Sequence, residues 1–273
     1  MRCFESAPWH LGIAICVVGL TGIQARAVSL LPLTQDRYVT ATTSGHNTLY
    51  DCGGPSLPPC SDSASAQLSA PDFGPFDATV SPSCSFLGGF CPSTSANQTS
   101  TITMTSISAS GGTSSESWSG HSGTQGGSSS AKSFLSVSFT IDEPVQYNVS
   151  GILKAEEHGT GSGGNYAVLG AGWDLYDLSS GTPIDGCDFG YANNWCDPNN
   201  PQGPFSRSGM LQAGDYVFTA SSAGDASDSS CCGGTYGNST SYNLSFRLVP
   251  EPTTALLLAS GIAGLVMFGA RHG

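Results

Sequence analysis

Charge is scarce in this chain. Only 10% of its 273 residues are Asp, Glu, Lys or Arg, and eight basic residues stand against 20 acidic ones, for a net −12. A field of that sign repels phosphate backbones, which argues against nucleic acid as a partner, and no polybasic run exists to hold anionic lipid. Helical periodicity is missing from the whole stretch between the two ends. No C-x-x-C occurs, and the five histidines do not cluster: His46, His121 and His158 are isolated among Gly and Ser. Structural zinc of the common kinds is therefore not expected.

Recognisable catalytic machinery is also lacking. There is no G-x-S-x-G elbow and no Ser, His and Asp arranged as a triad. The glutamates of the body are Glu116, Glu143, Glu156 and Glu157. The last two are adjacent, so on a strand they face opposite sides and cannot form the facing pair that glycoside hydrolysis needs. Gly159-Thr-Gly-Ser-Gly-Gly164 spells G-x-G-x-x-G, but strand-like Tyr166–Leu169 follows where a dinucleotide site needs a helix. That run reads as a hairpin tip. No enzymatic activity, catalytic residue or cofactor is expected.

What the chain does have is hydroxyls, glycine and short alternating runs. Phe134–Ile141 sets Leu135, Val137, Phe139 and Ile141 on one face and mostly hydroxyls on the other. Arg37–Thr43, Ser100–Ser108, Val145–Ser150, Trp173–Leu178 and Tyr242–Leu248 are similarly strand-prone, with Gly, Pro and Ser between them. Ala213-Gly-Asp215 reads as a turn feeding a strand. The pattern predicts an all-β fold, an antiparallel β-sandwich or jelly-roll-like domain over 28–248. Residues from about 109 to 133, rich in Ser and Gly, read as a long mobile loop or as two polar edge strands with a flexible tip.

The two ends differ from this body. Arg2, an apolar stretch from Leu11 to Ile23 and the small-residue site Ala25-Arg-Ala27 read as a signal peptide over 1–27. The mature chain is then expected to begin at Val28. At the other end, Val249-Pro250-Glu251-Pro252 precedes an apolar helix over 255–270, then Arg271 and His272. A rigid break, a marginal membrane segment and a terminal cation form a stop signal.

This C-terminal arrangement, over 249–273, resembles the PEP-CTERM sorting signal of Gram-negative bacteria. The resemblance implies that a membrane-embedded exosortase recognises Pro250, Glu251 and Pro252 and removes the tail. It also implies transient anchoring in the inner membrane and delivery to the cell surface, outer membrane or extracellular matrix. Family tails often hold several basic residues, whereas here only Arg271 is firmly charged. The body more loosely resembles a β-rich domain of PEP-CTERM proteins over 134–147 and 209–216, where Gly209-x-Leu211-x-x-Gly214-x-Tyr216 would form a hairpin. That resemblance implies architecture and no catalytic residues.

Cys3 and Cys16 leave with the signal peptide. The other eight, Cys52, Cys60, Cys84, Cys91, Cys187, Cys196, Cys231 and Cys232, read as disulfides in an exported protein. Short loops suggest Cys52–Cys60, Cys84–Cys91 and Cys187–Cys196, which leaves the neighbours Cys231 and Cys232 to form a strained vicinal bridge or to pair elsewhere. Asp185, Asp188 and Asp197, with Asn193 and Asn194, gather oxygen ligands and are calcium candidates without EF-hand spacing, so no metal is assigned. Four N-x-S/T sequons, at Asn97, Asn148, Asn238 and Asn243, follow from Ser/Thr richness.

The function expected is a non-enzymatic structural or interaction role outside the cell. The first alternative is a carbohydrate-binding module for exopolysaccharide, with Trp195, Tyr191 and Trp118 as contact candidates, because aromatic faces on jelly rolls lie against sugar rings. Trp173 is assigned to the core. A sandwich-fold glycoside hydrolase is the remaining alternative and has no residue pair to support it.

Overall fold

The computed structural model describes residues 29–47, 61–86, 89–120, 125–159, 166–190, 193–194, 203–227 and 234–249. Both terminal signals, with the helix 255–270, lie outside them. So do Cys52, Cys60, Cys196, Cys231, Cys232, Tyr191, Trp195 and Asp197.

Among the described residues every regular element is a strand. In chain order they are β1 (Leu31–Asn47), β2 (Ser61–Ser69), β3 (Phe76–Val80), β4 (Ser85–Phe86), β5 (Gly89–Phe90), β6 (Thr94–Ile102), β7 (Ser106–Ser119) and β8 (Gln125–Ile141). Then come β9 (Val145–Gly159), β10 (Tyr166–Asp177), β11 (Pro183–Gly190), β12 (Asn193–Asn194), β13 (Phe205–Leu211), β14 (Gly214–Ser227) and β15 (Gly234–Val249). All pairings are antiparallel. Thirteen strands share one sheet, and β4–β5 is a separate hairpin.

The sheet has two arms. One runs β2-β1-β8-β14-β10-β11-β12 and the other β3-β6-β7-β15-β9-β13. They join where β7 turns into β8, at Trp118↔Gly127 and Ser119↔Gly126. The sheet curls there, so the arms face each other: Phe246 of β15 lies 5.3 Å from Phe218 and 5.5 Å from Phe139, ring centre to ring centre. The alternation expected for Phe134–Ile141 holds, with Leu135, Val137, Phe139 and Ile141 all turned inward. Trp173 is fully buried and stacks on Phe205.

The stretch 109–133 behaves differently from a mobile loop. Most of it forms β7 and the start of β8, and β7 sits inside its arm between β6 and β15. The reason lies in what its small side chains meet. Along each central strand the inward residues change from apolar to polar. In β15 they run Leu248, Phe246, Leu244, Tyr242, Thr240, Asn238; in β14, Tyr216, Phe218, Ala220, Ser222, Gly224, Ala226. In β7 they run Ile107, Ala109, Gly111, Thr113, Ser115, Ser117, and β8 changes likewise from Ile141 to Ser129. The register stacks like on like, with Phe246↔Ile107 and Thr240↔Thr113 at the two levels.

A buried hydroxyl is costly unless bonded. Here the side chains bond one another, within the second arm and across to the first. Thr240 shares hydrogen bonds with Thr113 at 2.7 Å and Ser222 at 2.6 Å, and Ser115 donates to the carbonyl of Gly224 at 2.7 Å. Gln98 donates to the Tyr242 hydroxyl at 3.1 Å, and Ser133 bonds that hydroxyl as well. Burial pushes the Tyr242 phenol up to about 12. Glycine permits the approach, because a Cβ on Gly111 would strike Ser133 and Tyr242, and one on Gly224 would strike Asn238.

The connection Gln212-Ala213, expected in a hairpin, instead leads from β13 in one arm to β14 in the other; residues 160–165 of the expected Gly-rich hairpin tip lie outside the described residues, and the flanking β9 and β10 are not adjacent. Ser100–Ser108 breaks at a turn over Thr103–Thr105, so Met104 is 74% exposed while Ile107 enters the core.

Candidate functional site

The polar end of the fold carries a cavity of about 440 Å³. Its lining comes from the end of β7 (Glu116–Ser119), the start of β15 (Gly234, Thr235) and Cys91-Pro92-Ser93. On β7, Ser117 and Ser119 point inward, so strand alternation turns Trp118 and Glu116 to the outer side. Trp118 is half-buried and is the large apolar surface of the cavity.

Glu116 is held firmly in place. Its carboxylate accepts from the Ser93 hydroxyl at 2.6 Å. Its backbone N–H and carbonyl both bond the Ser129 hydroxyl, at 2.8 and 2.6 Å, which ties β7 to β8. The Cys84–Cys91 disulfide, with Cα atoms 5.4 Å apart, holds the floor. Beside it, Thr43 donates to the Pro92 carbonyl at 2.7 Å, and Asp62 accepts from the backbone of Ser63 and Ser85. A second hollow of about 380 Å³ lies on the other side of the same Cys91-Pro92-Ser93 segment.

Of the expected disulfides, Cys84–Cys91 is formed, and Cys187 is buried and disulfide-bonded. Of the carbohydrate-contact candidates, Trp118 lines the cavity, and Tyr191 and Trp195 lie outside the described residues. The calcium candidates part company on β11. Asp185 faces inward and accepts from the Tyr147 hydroxyl at 3.2 Å, whereas Asp188 lies on the outer face against Gly172 and near Asp174. Among the described residues no group of three His, Cys, Asp or Glu is placed to hold a metal ion.

The outer face of β10 and β11 instead pairs Asp174 with Asp188. Burial, and secondarily the Asp188 charge, push the Asp174 carboxyl up to about 6. Burial also raises the Tyr147 phenol to about 12, with the Asp185 charge and hydrogen bond adding to it. Asp174 was not foreseen as a partner of Asp188, since only the register Gly172↔Asp188 and Asp174↔Gly186 brings the two strands into line.

No family model matches the chain, and no curated protein matches it. Among solved structures, the enzymatically active domain of tailspike protein 4 from bacteriophage CBA120 is 14% identical, with a TM-score of 0.18. The match covers 57% of this chain and 19% of that one, so the chain spans about a fifth of the tailspike's length. The VP2 subviral particle of infectious bursal disease virus is 12% identical over 88% of this chain and 74% of that one, with a TM-score of 0.17. Superpositions this loose assign neither a fold family nor an activity.

Proposed function

We propose that this chain is an exported structural and interaction protein of a bacterial cell surface or extracellular matrix, processed by exosortase at its PEP-CTERM tail. Its body is read as a two-layered β-sandwich of the jelly-roll kind, the two arms being the layers. The observation that supports export is the Cys84–Cys91 disulfide, together with the bonded Cys187, since such bridges persist in oxidising compartments. A surface that draws on Ser, Thr and Asn more than on charge suits the same setting.

The test is intact mass and terminal sequencing of the protein from its native host, with and without the matching exosortase. The expected form begins at Val28 and lacks the segment after Pro250-Glu251-Pro252, and tail loss depends on the exosortase. A chain from wild-type cells that retains Ala255–Gly273 overturns the proposal.

The cavity at Trp118 favours a second reading, carbohydrate binding. An indole with a polar rim of Ser93, Glu116 and Thr235 offers a stacking face and hydrogen-bond groups in one place. Among the described residues of the lining the one carboxylate is Glu116, without a facing partner of the kind hydrolysis uses.

A further inference from the structure

The outer face of the second arm is a grid. Side chains that point outward on β6, β7, β15 and β9 fall into rows across the strands: Thr99–Ser110–Asn243–Ile152, then Asn97–Gly112–Ser241–Lys154. Strands lie about 4.8 Å apart and alternate residues about 6.8 Å apart along each one, so the rows form a regular lattice. At the centre the lattice lacks a side chain, because position 112 is glycine. The result is a trough of about 410 Å³.

Some polar side chains elsewhere on the face bond one another, Thr99 to Asp77, Asn148 to Ser206 and Arg247 to Ser245, while Thr101, Ser108 and Ser239 make no side-chain hydrogen bond to any described residue; what sets the trough apart is the missing side chain at Gly112. Asn97, Ser110, Ser241 and Asn243 make no side-chain hydrogen bond to any described residue, and all four line the trough. They are hydroxyls and amides, which both donate and accept. Ile152, 36% exposed, supplies an apolar flank, and Lys154 supplies one cation at the edge.

We propose that this trough binds an uncharged polysaccharide chain. A polyhydroxylated chain presents donors and acceptors at intervals along a ribbon and an apolar ring face, which this lining matches. A polyanion is disfavoured, because one lysine does not offset a net charge of −12. The proposal shares its ligand class with the Trp118 reading and places the site six residues away along β7 on the same outer face, about 20 Å at roughly 3.3 Å per residue. It does not depend on how the tail is processed.

The test is affinity electrophoresis of the purified full chain in gels containing dextran, soluble starch, galactomannan, mixed-linkage β-glucan or alginate. Retardation is expected in at least one neutral gel and not in alginate. Asn97→Ala with Asn243→Ala, both at exposed positions, should weaken retardation at least tenfold without moving the melting temperature. Ser241→Tyr, which fills the trough, should abolish it, and Gln67→Ala, exposed on β2 of the other arm, should leave it unchanged. No retardation in any neutral gel, retardation in alginate alone, or retardation untouched by the trough variants overturns the proposal. Loss with Trp118→Ala and not with the trough variants overturns it in favour of the cavity.

Discussion

Arg37 is a buried cation with no carboxylate in contact among the described residues, and replacing it probes what holds the two arms together at β1. The guanidinium is 1% exposed. It donates to Gln35 at 2.8 Å, to Ser100 of the opposite arm at 3.1 Å, and to the carbonyls of Asp72 and Gly74. It also lies 5.7 Å from the centre of the Phe76 ring. Burial lowers its pKa, and the charge of Asp72 partly opposes this. Arg37→Met removes the bonds and the cost of burying the charge together. The Asp72 and Gly74 carbonyls, on a loop that reaches solvent, turn to water. The Ser100 hydroxyl stays buried and unbonded, which costs about 1–3 kcal/mol.

Arg37→Lys leaves a charge in place but loses the planar fork that reaches four acceptors. A buried charge stripped of partners costs about 3–5 kcal/mol. The charge-conserving substitution is therefore expected to be the more damaging one. Urea unfolding followed by tryptophan fluorescence, disulfides intact, reads this directly. With a slope of about 2–3 kcal/mol/M, the midpoint should fall by about 0.3–1.5 M for Arg37→Met and by about 1–2.5 M for Arg37→Lys, the lysine variant being the lower. If both variants stay within about 0.5 kcal/mol of the parent, or if methionine proves worse than lysine, the fork does not carry the edge and the reasoning fails.

Gly111→Ala should destabilise the fold by about 1–3 kcal/mol, because its methyl meets Ser133 and Tyr242, and Tyr242→Phe in the same chain should recover part of the loss; additive costs in a double-mutant cycle would refute that contact. Asp174, whose folded pKa is raised to about 6, binds its proton more tightly folded than unfolded. Its contribution is thus fully present below about pH 4 and lost as pH rises through 6. Asp174→Asn should flatten the fall in melting temperature between pH 4 and 7 and raise it at pH 7, and parallel profiles for the two proteins would contradict the assignment.

Much of the architecture was legible wherever apolar residues alternate. Leu135 to Ile141, Trp173 and the run into Leu248 declared their inward faces because water rejects them and the core is the other place available. The Cys84–Cys91 pairing was readable from loop length. The polar half of the interior was not. Ser, Thr and Gly are ordinarily read as facing water, and that rule holds only where water is the best partner on offer. Ser222 finds Thr240, and Ser115 the carbonyl of Gly224, across the interior instead, which depends on registers between strands far apart in sequence. For the same reason the outer trough was invisible: Asn97, Gly112, Ser241 and Lys154 come from four strands, and nothing local to any one of them marks the row.

Both ends of the described chain rest on one small turn. Leu30 donates its N–H to the carbonyl of Met104, and Leu248 donates to that of Thr105. Trp118 and the Cys84–Cys91 bridge belong to the opposite end, about 45 Å away along β15 at roughly 3.3 Å per residue. The disulfide-braced end and the end that carries both termini of the described chain are therefore the two extremes of the long central strands, and a strain applied at one reaches the other only through the full length of their ladders.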